Sequence, residues 1–317
     1  MVLVTGGTGF IGQALTTYLV ESGQEVRILI RPSRKTPNLP KGIPVEVAVA
    51  SLKDERGLRA AMINVNSVYH LAGAERRGIY ESLLEDDILG TQAVATAAAE
   101  AGVDRLFYLS HLGAERASAF PVLKAKAIAE EYVRRSGVDH TIIRSAIVYG
   151  PGDTFTTRFA WLAYRLPFIF PLPGDGRTKL QPIWINDLAT CLVWALYEDS
   201  TRNQTYDIGG GEYFTFAQII QILMEKIGIK RNFIQVYPPY LRALIIFMES
   251  ILPNFPFSIF WLDYLAANRT CSIDTLTRVF HIIPTQFTKN LDYLHSIDWK
   301  KSPRFTLDQK IKDKKRR

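Results

Sequence analysis

Val2-Leu-Val-Thr-Gly-Gly-Thr-Gly-Phe-Ile-Gly12 opens the chain: a short β-branched, apolar run that ends in glycines at Gly6, Gly9 and Gly12. Ile11, Ala14, Leu15, Tyr18 and Leu19 then recur at helical spacing, Gly23 marks a helix end, and Val26 to Ile30 supplies a second strand-like run. A strand, a glycine-rich turn and a helix in this order form a dinucleotide cradle. Gly6 serves the tight turn, Gly9 lets the backbone approach a pyrophosphate, and Gly12 lets the helix lie close on the sheet. The free N–H groups and positive dipole end of that helix face the phosphates.

From this cradle, strand-like and helix-like segments alternate. Val45 to Ala50, Ser67 to Leu71, Arg105 to Ser110 and Thr141 to Val148 are apolar and branched, and between them lie alanine-rich stretches at Gly90 to Ala101 and Lys124 to Arg135. Alternation of this kind predicts an α/β fold, a Rossmann-type doubly wound parallel sheet with right-handed crossovers. After Tyr149-Gly-Pro-Gly-Asp153 proline and aromatic residues become more frequent. The expected organisation is a dinucleotide-binding core over 1–150, a smaller C-terminal substrate or docking region over 151–300 that partly returns to the core, and a basic tail over 301–317.

At 317 residues and 47% hydrophobic composition the chain buries a substantial core. No apolar stretch reaches bilayer-spanning length, and the cradle begins at residue 2 with no room before it for a secretory leader, so the expectation is a cytoplasmic protein, at most peripheral to a membrane. Cys191 and Cys271 stand far apart without metal-ligand spacing, so both read as buried thiols and no metal site is expected. The net charge of +7 is concentrated towards the end, from Lys300 and Lys301 to Arg317, and lacks the interleaved aromatics of a nucleic-acid surface. That tail reads as a solvated terminus, or as a contact for acidic protein or anionic lipid. Tyr237 to Leu265 is the most apolar and aromatic region. Pro253 and Pro256 interrupt it, which argues against a transmembrane helix and leaves internal packing, a protein complex or a membrane surface as its partner.

Thr5 to Gly12, His70-Leu-Ala-Gly73, Gly90-Thr91, Tyr108-Leu-Ser-His-Leu-Gly-Ala114, Arg144 with Val148-Tyr-Gly-Pro-Gly152, and Pro182-Ile-Trp-Ile-Asn-Asp-Leu-Ala189 occur in an order that resembles the atypical or extended short-chain dehydrogenases/reductases, the epimerase/dehydratase type. The resemblance covers roughly residues 1 to 230. The Ser110-His111-Leu112 step is similar to the branch containing the nucleotide-binding accessory subunit of respiratory complex I. The resemblance implies that Gly6, Thr8, Gly9, Phe10, Ile11 and Gly12 surround the pyrophosphate, that Leu71, Ala72 and Gly73 pass beneath the adenosine, and that Ser51 and Leu52 touch adenine. The family's usual acid is missing from that last motif, and Asp87 stands where many relatives carry asparagine.

Two departures bear on chemistry. At the end of the second strand an NAD site places Asp or Glu on the ribose hydroxyls, whereas this chain has Ile30-Arg31-Pro32-Ser33-Arg34-Lys35. Arg31 suits a 2′-phosphate, with Ser33, Arg34 and Lys35 as helpers, so NADP(H) is favoured over NAD(H). The second departure is at the proton relay. The family pairs a tyrosine with a lysine four residues later, the lysine lowering the phenol's pKa and binding the nicotinamide ribose. Lys126 and Glu130 fit the lysine side of that pattern, and this puts Val122 at the tyrosine position. The other register pairs Lys124 with Phe120, and neither supplies an acid. Ser110, a candidate cofactor contact, lies one position before the usual hydroxyl, and His111, together with Lys126, is the candidate catalytic residue. Lys126 is the candidate ribose ligand, while Tyr149 and Tyr80 read as structural.

Two functional readings follow. In one, the chain is an NAD(P)H-binding protein that lacks the tyrosine acid and has a structural or complex-associated role. In the other, it is an NADP-dependent reductase, epimerase or dehydratase for a small carbonyl or sugar-like substrate, with His111 or a displaced tyrosine as acid.

Overall fold

The computed structural model describes residues 1–34, 36–73, 83–252 and 255–300. Lys35, Tyr80 and the tail beyond Lys300 lie outside the described residues. The first half alternates as the sequence predicts: β1 (Val2–Thr5), α1 (Phe10–Glu21), β2 (Val26–Ile30), β3 (Glu46–Val49), α2 (Glu55–Ala61), β4 (Ser67–His70), a π-turn over Leu84–Leu89, α3 (Gly90–Glu100), β5 (Arg105–His111), α4 (Pro121–Arg135) and β6 (His140–Ser145). Helix α4 starts three residues before the alanine-rich stretch because Pro121 is pre-set for the first helical position, where its missing N–H costs nothing.

The run Thr141 to Val148 does not stay one strand. Strand β6 ends at Ser145, the Ala146 amide donates to the Ile208 carbonyl at 2.7 Å, and the chain then turns out of the sheet. It continues as β7 (Val148–Tyr149), α5 (Thr156–Arg165), β8 (Ile169–Pro173), β9 (Lys179–Leu180), β10 (Ile183–Trp184), α6 (Ile185–Tyr197) and β11 (Gln204–Ile208). The last third holds β12 (Phe214–Thr215), α7 (Phe216–Lys226), β13 (Asn232–Val236), α8 (Pro238–Ile251), α9 (Ile259–Leu265) and α10 (Thr275–Phe280).

Seven parallel strands form the main sheet in the order β11-β6-β5-β4-β1-β2-β3. Succession reverses at β1, with β2 and β3 to one side and β4 onward to the other. This opens a crevice beyond the carboxyl ends of β1 and β4, the place where doubly wound sheets take their ligands. Both faces of the sheet are covered, so β1 and β4 are buried at every position instead of alternating. Leu3 packs with Leu58, Val68, Val94 and Ala98 on one face, and its neighbour Val4 with Leu15, Leu19, Ile28 and Leu188 on the other. A separate aromatic core of Phe155, Phe159, Phe170, Phe216 and Trp261 holds the C-terminal region together.

Cysteine burial departs from expectation at one position. Cys191 is buried, whereas Cys271 is only half-buried, because it follows Arg269 along the open edge of β9 and its thiol faces Gln181 Oε1 at 3.4 Å.

Candidate functional site

The glycine turn is packed too closely for a side chain at Gly6 or Gly12. Gly6 has φ +76°, and a Cβ there would sit 2.9 Å from the Ala72 nitrogen, so the end of β1 and the turn after β4 pass each other at backbone distance. At Gly12 a Cβ would overlap the Gly6 carbonyl oxygen and lie 2.6 Å from Gly7 Cα. Only glycine lets α1 seat this close to its own turn. Gly9 is exposed and forms the N-cap of α1, where no side chain among the described residues caps the helix. Uncapped N–H groups and the dipole end therefore point out over the crevice. Thr8, Phe10 and Ile11 are half-buried around this mouth, and Gln13 Nε2 donates to the Thr8 carbonyl at 3.1 Å, bracing the turn.

Across the crevice, the Leu71 amide donates to the Thr5 carbonyl at 3.1 Å, and Leu71, Ala72 and Gly73 are all partly open to solvent. Leu52 is buried beneath Gly90, while Ser51 stays half-open with its hydroxyl accepting the Lys53 amide at 3.2 Å. Arg31 leaves the end of β2 and reaches Asp86 of the π-turn, its Nη2 3.4 Å from Asp86 Oδ1. Ser33 and Arg34 follow on the exposed loop. Thus Gly6, Thr8, Gly9, Phe10, Ile11, Gly12, Arg31, Ser33, Arg34, Ser51, Leu52, Leu71, Ala72 and Gly73 all border the carboxyl ends of β1 to β4.

Ser110, His111 and Lys126 lie deeper, and each has a defined neighbour. Lys126 Nζ is 3.0 Å from Asp87 Oδ1, with both side chains buried. The Asp87 carboxylate thus receives the lysine. One turn earlier on α4 is Val122, which has no hydroxyl, and Phe120 caps the helix from outside. A line of polar contacts runs from this pair back to the cradle. Thr91 Oγ1 donates to the Asp87 carbonyl at 2.5 Å, which leaves it to accept from His70 Nε2 at 3.0 Å, and His70 Nδ1 accepts from Thr5 Oγ1 at 2.6 Å. The ring is therefore neutral with its proton on Nε2. Burial first and the Lys126 charge second push the pKa of His70 down from 6.5 to about 3.

That depression makes an acid-stability prediction. Between pH 6.5 and about 3 the unfolded chain protonates His70 and the folded chain does not. Stability therefore falls by about 1.4 kcal/mol for each unit of acidification attributable to this one ring. Urea melts of wild type and His70→Asn across pH 7 to 4.5 should differ in slope by about that amount, and parallel pH profiles would contradict it.

Ser110 is engaged structurally: its hydroxyl donates to Glu130 Oε1 at 2.6 Å. Glu130 is fully buried and also accepts from Arg144 Nε and Nη2 at 2.9 and 2.7 Å and from Arg134 Nη2 at 2.9 Å. This network clamps α4 onto β5 and β6. His111 ends β5, and its buried ring lies 5.9 Å from Phe260 and 6.4 Å from Tyr264, so helix α9 roofs it. Tyr149 is fully buried against Trp184 and Phe287, and burial raises its pKa far above the ordinary phenol value.

Arg269 belongs with His111 although no sequence motif points to it. It is 6% exposed, its guanidinium sits 5.7 Å over Tyr264 and 5.6 Å over Phe120, and Nη1 crowds Gly113 just after β5. Its Nε and Nη2 find no hydrogen-bond partner among the described residues, and burial lowers its pKa. A buried guanidinium with donors to spare is a seat for an oxygen-rich or anionic group.

A family model described as NAD(P)H-binding matches residues 6–158. The chain is 31% identical over 284 residues to the mitochondrial NADH dehydrogenase [ubiquinone] 1 alpha subcomplex subunit 9 of Arabidopsis thaliana, covering 86% of this chain and 70% of that one. It is 27% identical over 305 residues, 94% of each chain, to a ceramide reductase of Caulobacter vibrioides. Among solved structures, the Citrobacter triphenylmethane reductase complexed with NADP(H) superposes with a TM-score of 0.75 at 19% identity, over 93% of this chain and 99% of that one, which shows the fold. The glycine cradle, the strand order and these likenesses agree: the chain belongs to the extended short-chain dehydrogenase/reductase family, in the branch that holds the nucleotide-binding accessory subunit of respiratory complex I.

Proposed function

We propose that this chain binds NADPH across the β1/β4 crevice and holds it as a resident ligand, in a structural or complex-associated role, without the tyrosine-dependent proton relay of its family. The observation that carries this reading is the buried Lys126–Asp87 pair with Val122 one turn before it. The lysine that would tune a phenol is neutralised by a carboxylate, and the phenol is absent. A ligand that binds only the folded chain stabilises it by mass action, so turnover is not needed for the site to matter. The relative from Arabidopsis is named as a subunit of NADH dehydrogenase, which supports association with a larger complex.

In this reading the cradle residues hold the diphosphate, Arg31 takes the 2′-phosphate with Ser33 and Arg34 beside it, and Lys126 supports the nicotinamide ribose. A charged hydrogen bond of this kind is worth roughly 1.5–3 kcal/mol, about 10- to 100-fold in affinity. Arg31→Ala should weaken NADPH by that factor and leave NADH nearly unchanged in a fluorescence titration. An equal loss for both coenzymes would reject Arg31 as the selector.

A second reading rests on Arg269 and His111 under the α9 roof. There the chain is a reductase, epimerase or dehydratase for a small carbonyl or sugar-like substrate, Arg269 holding a substrate oxygen and His111 delivering the proton. NADPH, when bound, supplies the hydride. The ceramide reductase relative, matched over nearly its whole length, supports this reading. Incubating the NADPH-loaded protein with a panel of keto-lipids and keto-sugars separates the two. Binding without oxidation supports the first, while turnover lost in His111→Ala and Arg269→Gln but kept in Tyr149→Phe supports the second.

A further inference from the structure

The region Tyr237 to Leu265 divides its apolar residues between two destinations. Phe257, Phe260, Trp261, Tyr264 and Leu265 are buried in the aromatic core, whereas α8 shows most of its circumference to solvent. Tyr240, Leu244, Phe247 and Ile251 recur at helical spacing in one stripe, opposite the inward-facing Ile245 and Glu249, and Tyr240 and Phe247 are 72% and 59% exposed. Beyond the helix, Tyr237, Ile234 of β13 and Phe168, which is 78% exposed, add further exposed apolar side chains. Backbone pairing joins these pieces, since the Asn232 amide donates to the Phe168 carbonyl at 3.1 Å. Isolated exposed apolar residues are ordinary on a protein surface, but a stripe of four large ones along a helix marks a contact.

The charges around this face identify the contact. From Thr154 to Gly174, and again from Lys226 to Met248, the sequence contains no Asp or Glu; of the six cations there, Arg158 is buried, Lys226 pairs with Asp292 and Arg242 with Asp263, which leaves Arg165, Lys230 and the half-buried Arg231. Arg165 and Lys230 are exposed at the Phe168 end. The acids nearest the helix are withdrawn: Glu249 is buried on the inward side, and Asp263 of α9 is paired with Arg242. An apolar helix face bearing tyrosines at one end, with exposed cations beside Phe168, matches the boundary of an anionic bilayer, with aromatic rings at head-group level and basic side chains on lipid phosphates. The helix spans about 21 Å at 1.5 Å per residue, too short to cross, and no helix among the described residues is long and apolar enough to do so.

We propose that α8, with β13 and Phe168, seats this protein on the surface of an anionic phospholipid bilayer. The inward side of α8 packs on α9, and α9 in turn roofs His111 through Phe260 and Tyr264. The membrane surface is thus one helix away from His111 and Arg269.

The test uses the full chain loaded with NADPH and sedimented with sucrose-filled vesicles, either phosphatidylglycerol mixed with phosphatidylcholine or phosphatidylcholine alone. Wild type should pellet with the anionic vesicles, and more weakly in high salt or with phosphatidylcholine alone. Leu244→Asp/Phe247→Asp changes only exposed side chains, so NADPH affinity and melting temperature should stay put while the partition coefficient falls at least tenfold. Lys230→Glu should weaken binding to anionic vesicles only. Wild type remaining in the supernatant with anionic vesicles overturns the proposal. So does self-association of wild type in sedimentation equilibrium that the double variant abolishes without any vesicle binding, because the face is then an interface between copies of this chain.

Discussion

Gly12→Val is expected to abolish dinucleotide binding and to cost about 2–3 kcal/mol of stability, the upper end of what overpacking a tight site costs. The new Cβ would overlap the Gly6 carbonyl and press on Gly7 Cα at 2.6 Å, so α1 must lift off its own turn. Its N–H groups then no longer converge on a diphosphate. Gly9→Ala separates the ligand from the fold. A Cβ at this position meets only the Gly6 carbonyl at 3.2 Å and otherwise stands over the crevice. The melting temperature should hardly move, while NADPH affinity falls about 100-fold, or ~2.7 kcal/mol. Unaltered coenzyme binding in Gly9→Ala would mean that the phosphates lie elsewhere.

Lys126→Met carries the second large effect. Asp87 and Lys126 are both almost wholly buried and 3.0 Å apart. Removing one member strands the other's charge away from water, and such deletions cost about 3–5 kcal/mol. Replacing both with apolar residues is far milder, so Asp87→Leu/Lys126→Met should recover much of the loss in chemical denaturation. This thermodynamic signature distinguishes an internal ion pair from a lysine kept for a Tyr–Lys relay. A relay lysine facing an open site would lose activity with little change in stability. A stability loss below about 1 kcal/mol in Lys126→Met would contradict the pairing as a structural element.

The nucleotide half was legible because its determinants are local. Glycines at 6, 9 and 12 act through backbone within one turn, and strands covered on both faces read as unbroken apolar runs. The Thr141 to Val148 run misled for a tertiary reason: the Ala146 amide makes the last rung to β11, at Ile208 more than sixty residues on, and beyond it Val148 and Tyr149 pair with β10 in a separate sheet. Asp87 stood out as a departure from the family, but its partner lies 39 residues later and only the packing of α4 against the π-turn brings the two together. Arg269 gave no signal at all. It is one cation in an irregular stretch, and it becomes notable only when its burial, its ring neighbours and the two nitrogens that find no partner among the described residues are seen together. Hydrophobicity alone likewise left the Tyr237 to Leu265 region open, because α8 and α9 are equally apolar and only their seating separates the buried helix from the exposed one.

Foremost, we propose that the glycine turn grips the diphosphate of a nicotinamide dinucleotide and that Arg31 favours the phosphorylated ribose. Isothermal titration calorimetry of the purified chain with NADPH and with NADH tests it most directly. Saturable one-to-one heat with both, and tighter binding of NADPH, is the expected result. No heat from either coenzyme at millimolar concentration would contradict it.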